Sequence, residues 1–565
     1  MPSNASNKSE KSARSGSWVQ LEGGPVLACV DMGTNSFHMI VCRASPKRDH
    51  FEVITRVKEA APFFRRSLVD HYIDEASLRS CIRILKDMQK KAYEKGADTI
   101  LAVATSAVRE SRNGAEVLHS IRDELEIDAR MISGKEEARL IYLGVLWSMP
   151  RIKGRFGIVD IGGGSTELII GDRQKIDFAE SYKLGAARLT QRFFKKGQPT
   201  PETLRELHDE VRGVLRPAAA RLEELGGVPV LVGTSGTIQA LAKLDREREG
   251  KSNQELNGWR LPLSRLEKIV LTIEETALEG DRIKGVSADR NQTVLAGSIV
   301  LLETMRSLNI NEITVSTAAL REGVVIDRFL QTGWLDGGLE HHRDPRSSSV
   351  HALIEKYHAS FEHAEQVARL ASEIFRQTRG VLHEYSTYVG HLIWSAAMLH
   401  DVGMFIGRNG HHKHSYYLIK NGGLLGHSEE EVGIIASIAR YHRGSPPKES
   451  HEAFYTIAPE NRKLVTDMAA ILRVAEALDR SHRQVIDQLT VAVEPFQKGG
   501  YDRPLLSFIL KLKPGENCYS ESWALDEKKE FFENQFGVRL NLSVSVQAEE
   551  AYPVKSTGSP SKQRA

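Results

Sequence analysis

The 565-residue chain lacks the features that mark secreted and membrane-spanning proteins. Its four cysteines, Cys29, Cys42, Cys81 and Cys518, show no paired spacing, and two of them fall in apolar stretches. We therefore expect reduced, buried thiols rather than disulfides or a cysteine metal site. No apolar run approaches the roughly 18 residues that span a bilayer, and residues 1–20 lack the apolar centre of a signal peptide. We expect a cytoplasmic protein with no membrane partner.

An excess of charge of one sign is also missing. The chain has 76 basic and 74 acidic residues, which nearly cancel. This balance argues against a general nucleic-acid-binding protein, and we expect no nucleic-acid partner. Aromatic residues make up only 7% of the chain, but 41% of all residues are hydrophobic. A chain of this length and composition can bury several cores, and its length suggests roughly three or four domains.

A short motif occurs twice in the first third of the chain. The two copies are Asp31-Met-Gly-Thr-Asn-Ser36 and Asp160-Ile-Gly-Gly-Gly-Ser-Thr-Glu167. Each lies between two apolar runs, which predicts a strand, a tight glycine turn and a second strand. Glycine permits a positive φ and lets backbone N–H groups point at an anion, and the aspartate at the strand end can bind a divalent cation. Two such hairpins facing each other would form a cleft for a phosphate chain.

A third phosphate-binding turn is predicted in Val232-Gly-Thr-Ser-Gly-Thr237. This segment follows a predicted strand and opens a helix, whose first N–H groups are free to bind a phosphate. The phosphate-binding residues expected in the three turns are Thr34, Asn35, Ser36, Gly163, Gly164, Ser165, Gly233, Ser235, Gly236 and Thr237.

Arg109 lies in Thr105-Ser-Ala-Val-Arg-Glu-Ser-Arg-Asn113, which follows a predicted strand over residues 100–103. Its planar guanidinium group could clamp a phosphate with two hydrogen bonds. The alternative is a surface ion pair, which is what many arginines after a strand form.

Glu137 is the candidate general base. Ser133 and Glu136 have the spacing of a capping box, in which the Glu136 side chain folds back on the Ser133 N–H and leaves Glu137 free. A carboxylate in the first turn of a helix, beside an anion-binding cleft, is suited to take a proton from an attacking water. The alternative is a solvated acid that the helix dipole favours.

The two hairpins differ in their metal-binding potential. Asp160 and Glu167 lie on either side of the triple-glycine turn and could share one Mg²⁺, which would neutralise charge on a transferred phosphoryl group. The first hairpin has His38 where the second has Glu167. We therefore expect one lobe to carry the metal and the other mainly to grip phosphate.

Strands alternate with helices over residues 25–330, which predicts an α/β architecture, and the doubled hairpin predicts two similar lobes. A second block is almost wholly helical and rich in histidine before strands return. The predicted segments are a disordered tail (1–24), lobe I (25–152), lobe II (153–330), a linker (331–350), a helical domain (351–484), a small α/β C-terminal domain (485–552) and a second disordered tail (553–565).

With Thr105–Arg109, Ser133–Leu140, Gly233–Thr237 and Ala319-Leu-Arg-Glu-Gly323, the two hairpins make six ordered motifs. On these motifs the chain resembles the exopolyphosphatase and guanosine pentaphosphate phosphatase family, over about residues 25–550. The resemblance implies two ribonuclease-H-like lobes of the actin and sugar-kinase superfold and a homodimer. It also places the catalytic glutamate on Glu137 and the Mg²⁺ ligands on Asp160 and Glu167.

The helical block resembles an HD-type metal phosphohydrolase domain. His363, the pair His400-Asp401 and Asp479 fall on separate predicted helices. Imidazoles and carboxylates suit Mn²⁺, Fe²⁺ or Mg²⁺, and His414 and His442 could hold a second metal. The alternative is an inherited helical bundle with polar contacts and no turnover. For His411 and His412 the alternative is an exposed polar loop.

The sequence is compatible with three functions. The first is an exopolyphosphatase that releases orthophosphate from the end of inorganic polyphosphate with Mg²⁺. The second uses the same site to remove the terminal phosphate of the guanosine alarmone pppGpp. The third, of another class, is a module that senses polyphosphate or nucleotide and regulates the HD-type domain. Kinase chemistry, which the superfold also supports, is less favoured because the motif that contains Glu137 matches the phosphatase branch.

Overall fold

The computed structural model describes residues 24–194, 197–336, 344–494 and 503–545. The predicted tails, residues 1–24 and 553–565, fall outside this range except for Gly24. The described chain divides into two compact units. The first contains the residues up to Ser349 together with Gly423–Glu429, and the second contains Val350–Gly422 and the residues from Glu430 onward.

The first lobe is a five-stranded sheet with helices on its faces. Its sheet has the order β3-β2-β1-β4-β5, in which β1 is antiparallel to β2 and parallel to β4. Its elements are β1 (Val26–Met32), β2 (Ser36–Ala44), β3 (Phe51–Ala60), α1 (Phe64–Asp70), α2 (Glu75–Glu94), β4 (Thr99–Ala104), α3 (Ser106–Arg109), α4 (Gly114–Leu125), β5 (Asp128–Met131) and α5 (Gly134–Ser148).

The second lobe repeats this plan with one added edge strand. Its sheet has the order β10-β11-β9-β6-β7-β8, so β8-β7-β6-β9-β11 matches the first lobe in order and in strand direction. The chain therefore repeats the whole sheet and not only the hairpin. The elements are β6 (Phe156–Ile161), β7 (Thr166–Gly171), β8 (Ile176–Tyr182), α6 (Ala186–Phe194), α7 (Pro201–Glu224), β9 (Leu231–Thr234), α8 (Ser235–Arg248), β10 (Arg260–Pro262), α9 (Leu263–Glu279), α10 (Ala288–Asn291), α11 (Val294–Ser307), β11 (Glu312–Val315) and α12 (Leu320–Gln331).

The two lobes share a core because α5 and α12 each pack on the sheet of the other lobe. Helix α5 follows the first sheet in the chain but contacts β7 and β8, whereas α12 follows the second sheet and contacts β1 and β2. The helices also pack on each other, and their backbones are close at Gly144 and Gly323. One continuous apolar cluster joins residues of both sheets and both helices. This shared core holds the two hairpins opposite each other.

The inner strands of both sheets are buried because they are apolar. Every residue of β6 and β7 is buried, and six of the seven residues of β1 are. Strands buried on both faces are nearly continuous apolar runs, which is why the sequence pattern identified them. All four cysteines are free and buried, as predicted.

The histidine-rich block is helical, as predicted. Residues 345–350, which the sequence placed in a linker, instead begin a helix, and Pro345 fits its first turn because that position needs no N–H donor. The elements are α13 (Pro345–Lys356), α14 (Phe361–Thr378), α15 (Thr387–Leu399), a 3₁₀ turn (Val402–Phe405), α16 (His411–Lys420), α17 (Glu429–Arg440), α18 (Glu452–Tyr455) and α19 (Pro459–Ala477).

A small three-stranded sheet follows and packs on these helices. Its order is β12-β13-β14, and α20 connects the parallel strands β13 and β14. Helix α20 packs on α19, and Gln366 of α14 donates to the Ile486 carbonyl of β12 at 2.8 Å. None of the described helices combines the length and apolar composition that a bilayer-spanning segment needs. The elements are β12 (Ile486–Glu494), β13 (Leu505–Leu512), α20 (Tyr519–Phe536) and β14 (Arg539–Val544).

Candidate active site

The two hairpins are equivalent in register, as the sequence repeat predicted. Asp31 pairs with His38 across β1 and β2, and Asp160 pairs with Glu167 across β6 and β7. Directly opposed residues of antiparallel strands have side chains on the same face of the sheet, so each pair lies side by side. The two hairpin turns and the β9–α8 turn line one cavity of about 430 Å³.

Most of the predicted residues meet in this cavity. Three do not line it: Arg109, Glu167 and Gly233. The predicted residues that do are Thr34, Asn35, Ser36, Glu137, Asp160, Gly163, Gly164, Ser165, Ser235, Gly236 and Thr237.

The hairpin glycines are needed because the two lobes approach each other closely, and not because the backbone adopts a positive φ. The expectation of a positive φ is wrong, because Gly33, Gly163 and Gly164 all lack one. A Cβ at Gly164 would lie 2.9 Å from the Cβ of Ser106, and one at Gly163 would lie 3.1 Å from the Cβ of Thr34. The absent side chains thus let the second hairpin approach residues of the first lobe.

The third turn differs from the prediction at two positions. Gly233 lies within β9, where side chains of Ile313 and Ile238 fill the space beside its Cα, so it serves packing and not phosphate binding. Ser235 has a φ of 75°, a left-handed conformation that costs a non-glycine residue roughly 1–2 kcal/mol. Its hydroxyl hydrogen-bonds to Asp160 and so links the helix start to the acid of the second hairpin.

The capping box predicted at the start of α5 forms only in part. The Ser133 hydroxyl accepts the Glu136 N–H at 3.1 Å, as predicted. The Glu136 carboxylate, however, does not fold back; it binds Arg139 through two hydrogen bonds of 2.7 and 2.8 Å and accepts the Gly426 N–H at 2.8 Å. A bidentate charged pair is stronger than one bond to a neutral N–H, which explains the difference.

Glu137 lies at the cavity wall, but it is not free. It is 8% exposed, and its Oε2 accepts a hydrogen bond from Nη1 of Arg109 at 3.0 Å. The same Arg109 nitrogen donates to the Ile132 carbonyl at 2.8 Å. The ion-pair alternative for Arg109 is confirmed in part, because its guanidinium pairs with Glu137, but the pair is largely buried rather than on the surface. Phosphate binding by Arg109 stays a prediction, although Arg109 does not line the cavity.

The cavity concentrates negative charge. Burial, together with repulsion from Glu137, raises the pKa of Asp160 to about 7, and burial likewise raises the pKa of Asp31 to about 7. The pKa of Glu167 is also raised by burial and then by Glu137 and Asp160. The Glu137 pKa is raised by burial, although Arg109 opposes this. These carboxylates therefore repel each other in a poorly solvated space.

The donor chemistry of this cluster fits Mg²⁺. No lysine or arginine in the described part of the chain lies within ion-pair distance of Asp160 or Glu167. Among the described residues outside the hairpins, Ser181 is the one whose hydroxyl donates a hydrogen bond to Glu167, at 2.7 Å. Carboxylate oxygens with excess negative charge are the ligands that hard divalent cations prefer. The metal assignment stays a prediction.

Sequence reasoning missed three arginines that line the cavity. Each is held by a neutral acceptor, and none forms an ion pair with a carboxylate in the described part of the chain. Of the three, only Arg321 had a sequence signal, because it lies in one of the six motifs. The contacts are Arg65 to Asn35 Oδ1 and to Gln292 Oε1, both 2.7 Å, Arg290 to the Gly236 carbonyl, and Arg321 to His38 Nδ1 at 3.2 Å.

The predicted metal residues of the helical unit meet in part. One nitrogen or oxygen atom from each of His363, His400 and Asp401 falls within 4.8 Å of the others. Asp479 is not in this group; its Oδ2 binds Nδ1 of His363 at 2.8 Å, so it orients that ring. Asp401 has a lowered pKa because the surrounding imidazoles outweigh its burial.

His442 also joins Asp401, but His414 does not. The second group consists of Asp401, His411 and His442. The side of α16 that contains His411 and Ser415 packs on the 3₁₀ turn, where the Ser415 hydroxyl accepts the Gly403 N–H at 2.9 Å. The choice of His414 is therefore wrong by one turn of α16, and His411 is buried rather than part of an exposed loop.

Comparison with known proteins agrees with this architecture. The model of the Ppx/GppA phosphatase family matches residues 44–332, and that of Ppx/GppA phosphatase, domain III, matches residues 346–511. The guanosine-5'-triphosphate,3'-diphosphate pyrophosphatases of Aeromonas hydrophila and Aeromonas salmonicida are both 29% identical over 432 residues, 74% of this chain and 81% of each relative. A crystal structure of an exopolyphosphatase from Cytophaga hutchinsonii is 26% identical with a TM-score of 0.50 and covers 55% of this chain and 99% of its own.

The predicted family and the pair of similar α/β lobes are thereby confirmed, whereas the actin and sugar-kinase superfold and the HD-type assignment stay predictions. Members of this family are phosphoanhydride hydrolases, which agrees with a cavity of opposed hairpins, acids and arginines. The chain belongs to the Ppx/GppA phosphatase family.

Proposed function

We propose that this enzyme is an exopolyphosphatase, which hydrolyses the terminal phosphoanhydride bond of inorganic polyphosphate and releases orthophosphate. The observation that carries the proposal is the lining of the cavity. Arg65, Arg290 and Arg321 have no carboxylate partner among the described residues, so their charges are available to a polyanion. The described lining contains no Phe, Tyr or Trp ring on which a nucleobase could stack.

Glu137 is suited to act as the general base. Its raised pKa makes it a stronger base than an exposed glutamate, and Arg109 fixes the direction of its carboxylate. Glu137 would take a proton as the oxygen of water bonds to the terminal phosphorus. The bond from that phosphorus to the bridging oxygen breaks, and the shortened polymer leaves with that oxygen. Backbone N–H groups at the start of α8 and the cavity arginines would stabilise the charge on the transferred group.

Asp160 and Glu167 are the residues that would hold Mg²⁺. A bound Mg²⁺ supplies positive charge that offsets the negative charge developing on the phosphoryl oxygens. Ser235 fixes the orientation of Asp160 through its hydroxyl. Ser181 does the same for Glu167.

The first experiment replaces the proposed base. Glu137→Gln should lower the rate of orthophosphate release from polyphosphate by about 10²- to 10⁴-fold, because the amide cannot accept the proton. Polyphosphate binding, measured by titration calorimetry, should remain. Glu94→Gln, at an exposed position in α2, is the matched control and should be fully active. A fully active Glu137→Gln enzyme would reject the assignment.

The second candidate is a pppGpp 5'-phosphohydrolase with the same site. It is favoured by the two Aeromonas relatives, which are named guanosine-5'-triphosphate,3'-diphosphate pyrophosphatases. Initial rates on long-chain polyphosphate and on pppGpp separate the two functions. Our proposal requires a higher kcat/KM on polyphosphate, and a higher value on pppGpp would replace it. Metal-dependent activity that survives Glu137→Gln would instead favour the sensing module.

A further inference from the structure

We propose that the first compact unit carries a second oxyanion site, separate from the cleft, which binds one orthophosphate ion among Arg130, Arg328 and Arg346. The site is a cavity of about 70 Å³ beside β5, the edge strand of the first sheet. Its described lining residues all belong to the first unit, and none of them also lines the cleft. The site goes beyond the proposed hydrolysis, because it uses other residues.

Arg328 of α12 is the residue on which the site depends. Its Nε is buried and has no hydrogen-bond partner. Its guanidinium group also forms no ion pair with any residue that the structure describes. Buried N–H donors without an acceptor are rare in folded proteins, because a protein group or a water normally satisfies them. A bound oxyanion would supply the missing acceptor.

The acids in the cavity wall do not fill this role, because other arginines already hold them. Asp128 accepts two hydrogen bonds from Arg130, both 2.8 Å long. Glu136 and Asp327 both pair with Arg139, a buried residue of α5. The described wall contains no other carboxylate, so the unbonded guanidinium group of α12 has no counter-charge there.

Three guanidinium groups share the cavity wall. Burial lowers the pKa of Arg328, and the charges of Arg130 and Arg346 lower it further, although two aspartates of the wall oppose them. Arg346 of α13 is fixed in place, because its Nε donates to the Gly426 carbonyl at 2.9 Å. Like charges around one small space repel each other, and an anion between them would offset this repulsion.

The size and the donors of the cavity favour a single tetrahedral oxyanion. Sites for drug-sized ligands measure roughly 300–1000 Å³, so a cavity of about 70 Å³ is too small for a nucleotide. The planar fork of a guanidinium group matches two oxygens of a phosphate. We choose orthophosphate because hydrolysis in the cleft would release it. This choice of ion rests on the proposed function, whereas the site itself does not.

Titration calorimetry of the full chain with orthophosphate tests the site without relying on activity. The wild type should bind two ions, one in the cleft and one among the three arginines. Arg328→Gln should weaken one of these binding events by about tenfold, because it removes charge-assisted hydrogen bonds. Arg321→Gln, in the cleft, should weaken the other. Arg79→Gln, at an exposed position where the arginine pairs with Glu75, is the matched control and should bind as the wild type does.

Asp128→Asn should give a gain of affinity, which misfolding cannot produce. It removes the negative charge that is paired with Arg130, so the second ion should bind about two- to fivefold more tightly. Asp123→Asn, at an exposed position of α4, is the control and should bind with the wild-type affinity. Three results would each overturn the site: one bound ion in the wild type, a wild-type isotherm for Arg328→Gln, or no gain of affinity in Asp128→Asn.

Pyrophosphate distinguishes a free ion from the end of a polymer. With EDTA present to prevent hydrolysis, its binding should be the same in the wild type and in Arg328→Gln. Pyrophosphate binding that depends on Arg328 would overturn the choice of orthophosphate and assign the site to chain ends. If the protein does not hydrolyse polyphosphate but Arg328-dependent binding of orthophosphate is present, the proposed function fails and this site stands.

Discussion

At the residue scale, the pKa of Glu137, the proposed general base, depends on two opposing influences. Burial raises its pKa, and the charge and hydrogen bond of Arg109 lower it. The net direction of the pKa is upward, which makes Glu137 a better base than a free glutamate. Without Arg109, the buried carboxylate would stay protonated up to a higher pH, and it could not act as a base in that range.

Replacing Arg109 tests this balance. Arg109→Met should raise the pKa of Glu137 further, because it removes the cation that stabilises the ionised form. The acid limb of the kcat/KM profile for polyphosphate should therefore move to higher pH by roughly one or two units. Arg109→Lys keeps the charge and should move the limb less. An unchanged acid limb in Arg109→Met would show that Glu137 does not set it.

The sequence identified residues of the cleft whose position follows from a local pattern. Glu137 could be selected because it lies in the first turn of a helix, and Asp160 because it ends a strand before a glycine turn. Arg65 and Arg290 could not, since they come from distant segments and only the tertiary fold brings them to one cavity. The same limit explains the choice of His414, because the sequence does not show which side of a helix faces its partner.

At the scale of elements, the crossing of α5 and α12 holds the two lobes together. A Cβ at Gly323 would overlap the backbone carbonyl of Leu140, and a Cβ at Gly144 would overlap that of Ala319. These contacts are with backbone atoms, which cannot move aside as a flexible side chain can. Glycine at both positions allows the helices to cross at a short distance.

Gly323→Ala should therefore be strongly destabilising. We expect a loss of about 3 kcal/mol in the free energy of unfolding, at the upper end of the range for overpacked cores. Gly213→Ala in α7 is the control; nothing lies within 4 Å of its added methyl group, and alanine should raise helix stability by roughly 0.5–1 kcal/mol. Urea denaturation of the two variants measures both effects. If Gly323→Ala were as stable as the wild type, α5 and α12 would have to move apart around the methyl group at no cost in free energy, which contradicts the prediction.

Element prediction succeeded where the chain carries a strong local signal. The strand predicted over residues 100–103 is observed as Thr99–Ala104, because the turn residues Gly96 and Asp98 precede a short apolar run. The packing of α5 and α12 on opposite sheets has no such signal, since it depends on tertiary contacts between separate segments, such as α12 with β1 and β2 at the other end of the first unit's sequence. Residues 345–350 were misassigned because proline and serine occur both in linkers and at helix starts.

At the scale of the whole molecule, pH should act through a few buried or half-buried ionisable groups. Acidic and basic residues nearly balance, so general charge repulsion is small around neutral pH. His208 of α7 is one such group: it lies between Glu274 of α9 and Glu303 of α11, at 2.9 and 2.7 Å. Burial lowers the pKa of His208, but the hydrogen bonds and charges of the two glutamates outweigh it and raise the pKa to about 9.

This raised pKa predicts how stability changes with pH. Protonated His208 stabilises the folded chain fully below the unfolded-state pKa of about 6.5, and this contribution is lost as pH rises through about 9. The wild type should therefore lose about 3 kcal/mol relative to His208→Gln between pH 6 and pH 10, as measured by urea denaturation. His119→Gln, at an exposed position on α4, is the control and should follow the wild type. If His208→Gln and the wild type differ by the same amount at both pH values, the ionised cluster does not contribute to folding.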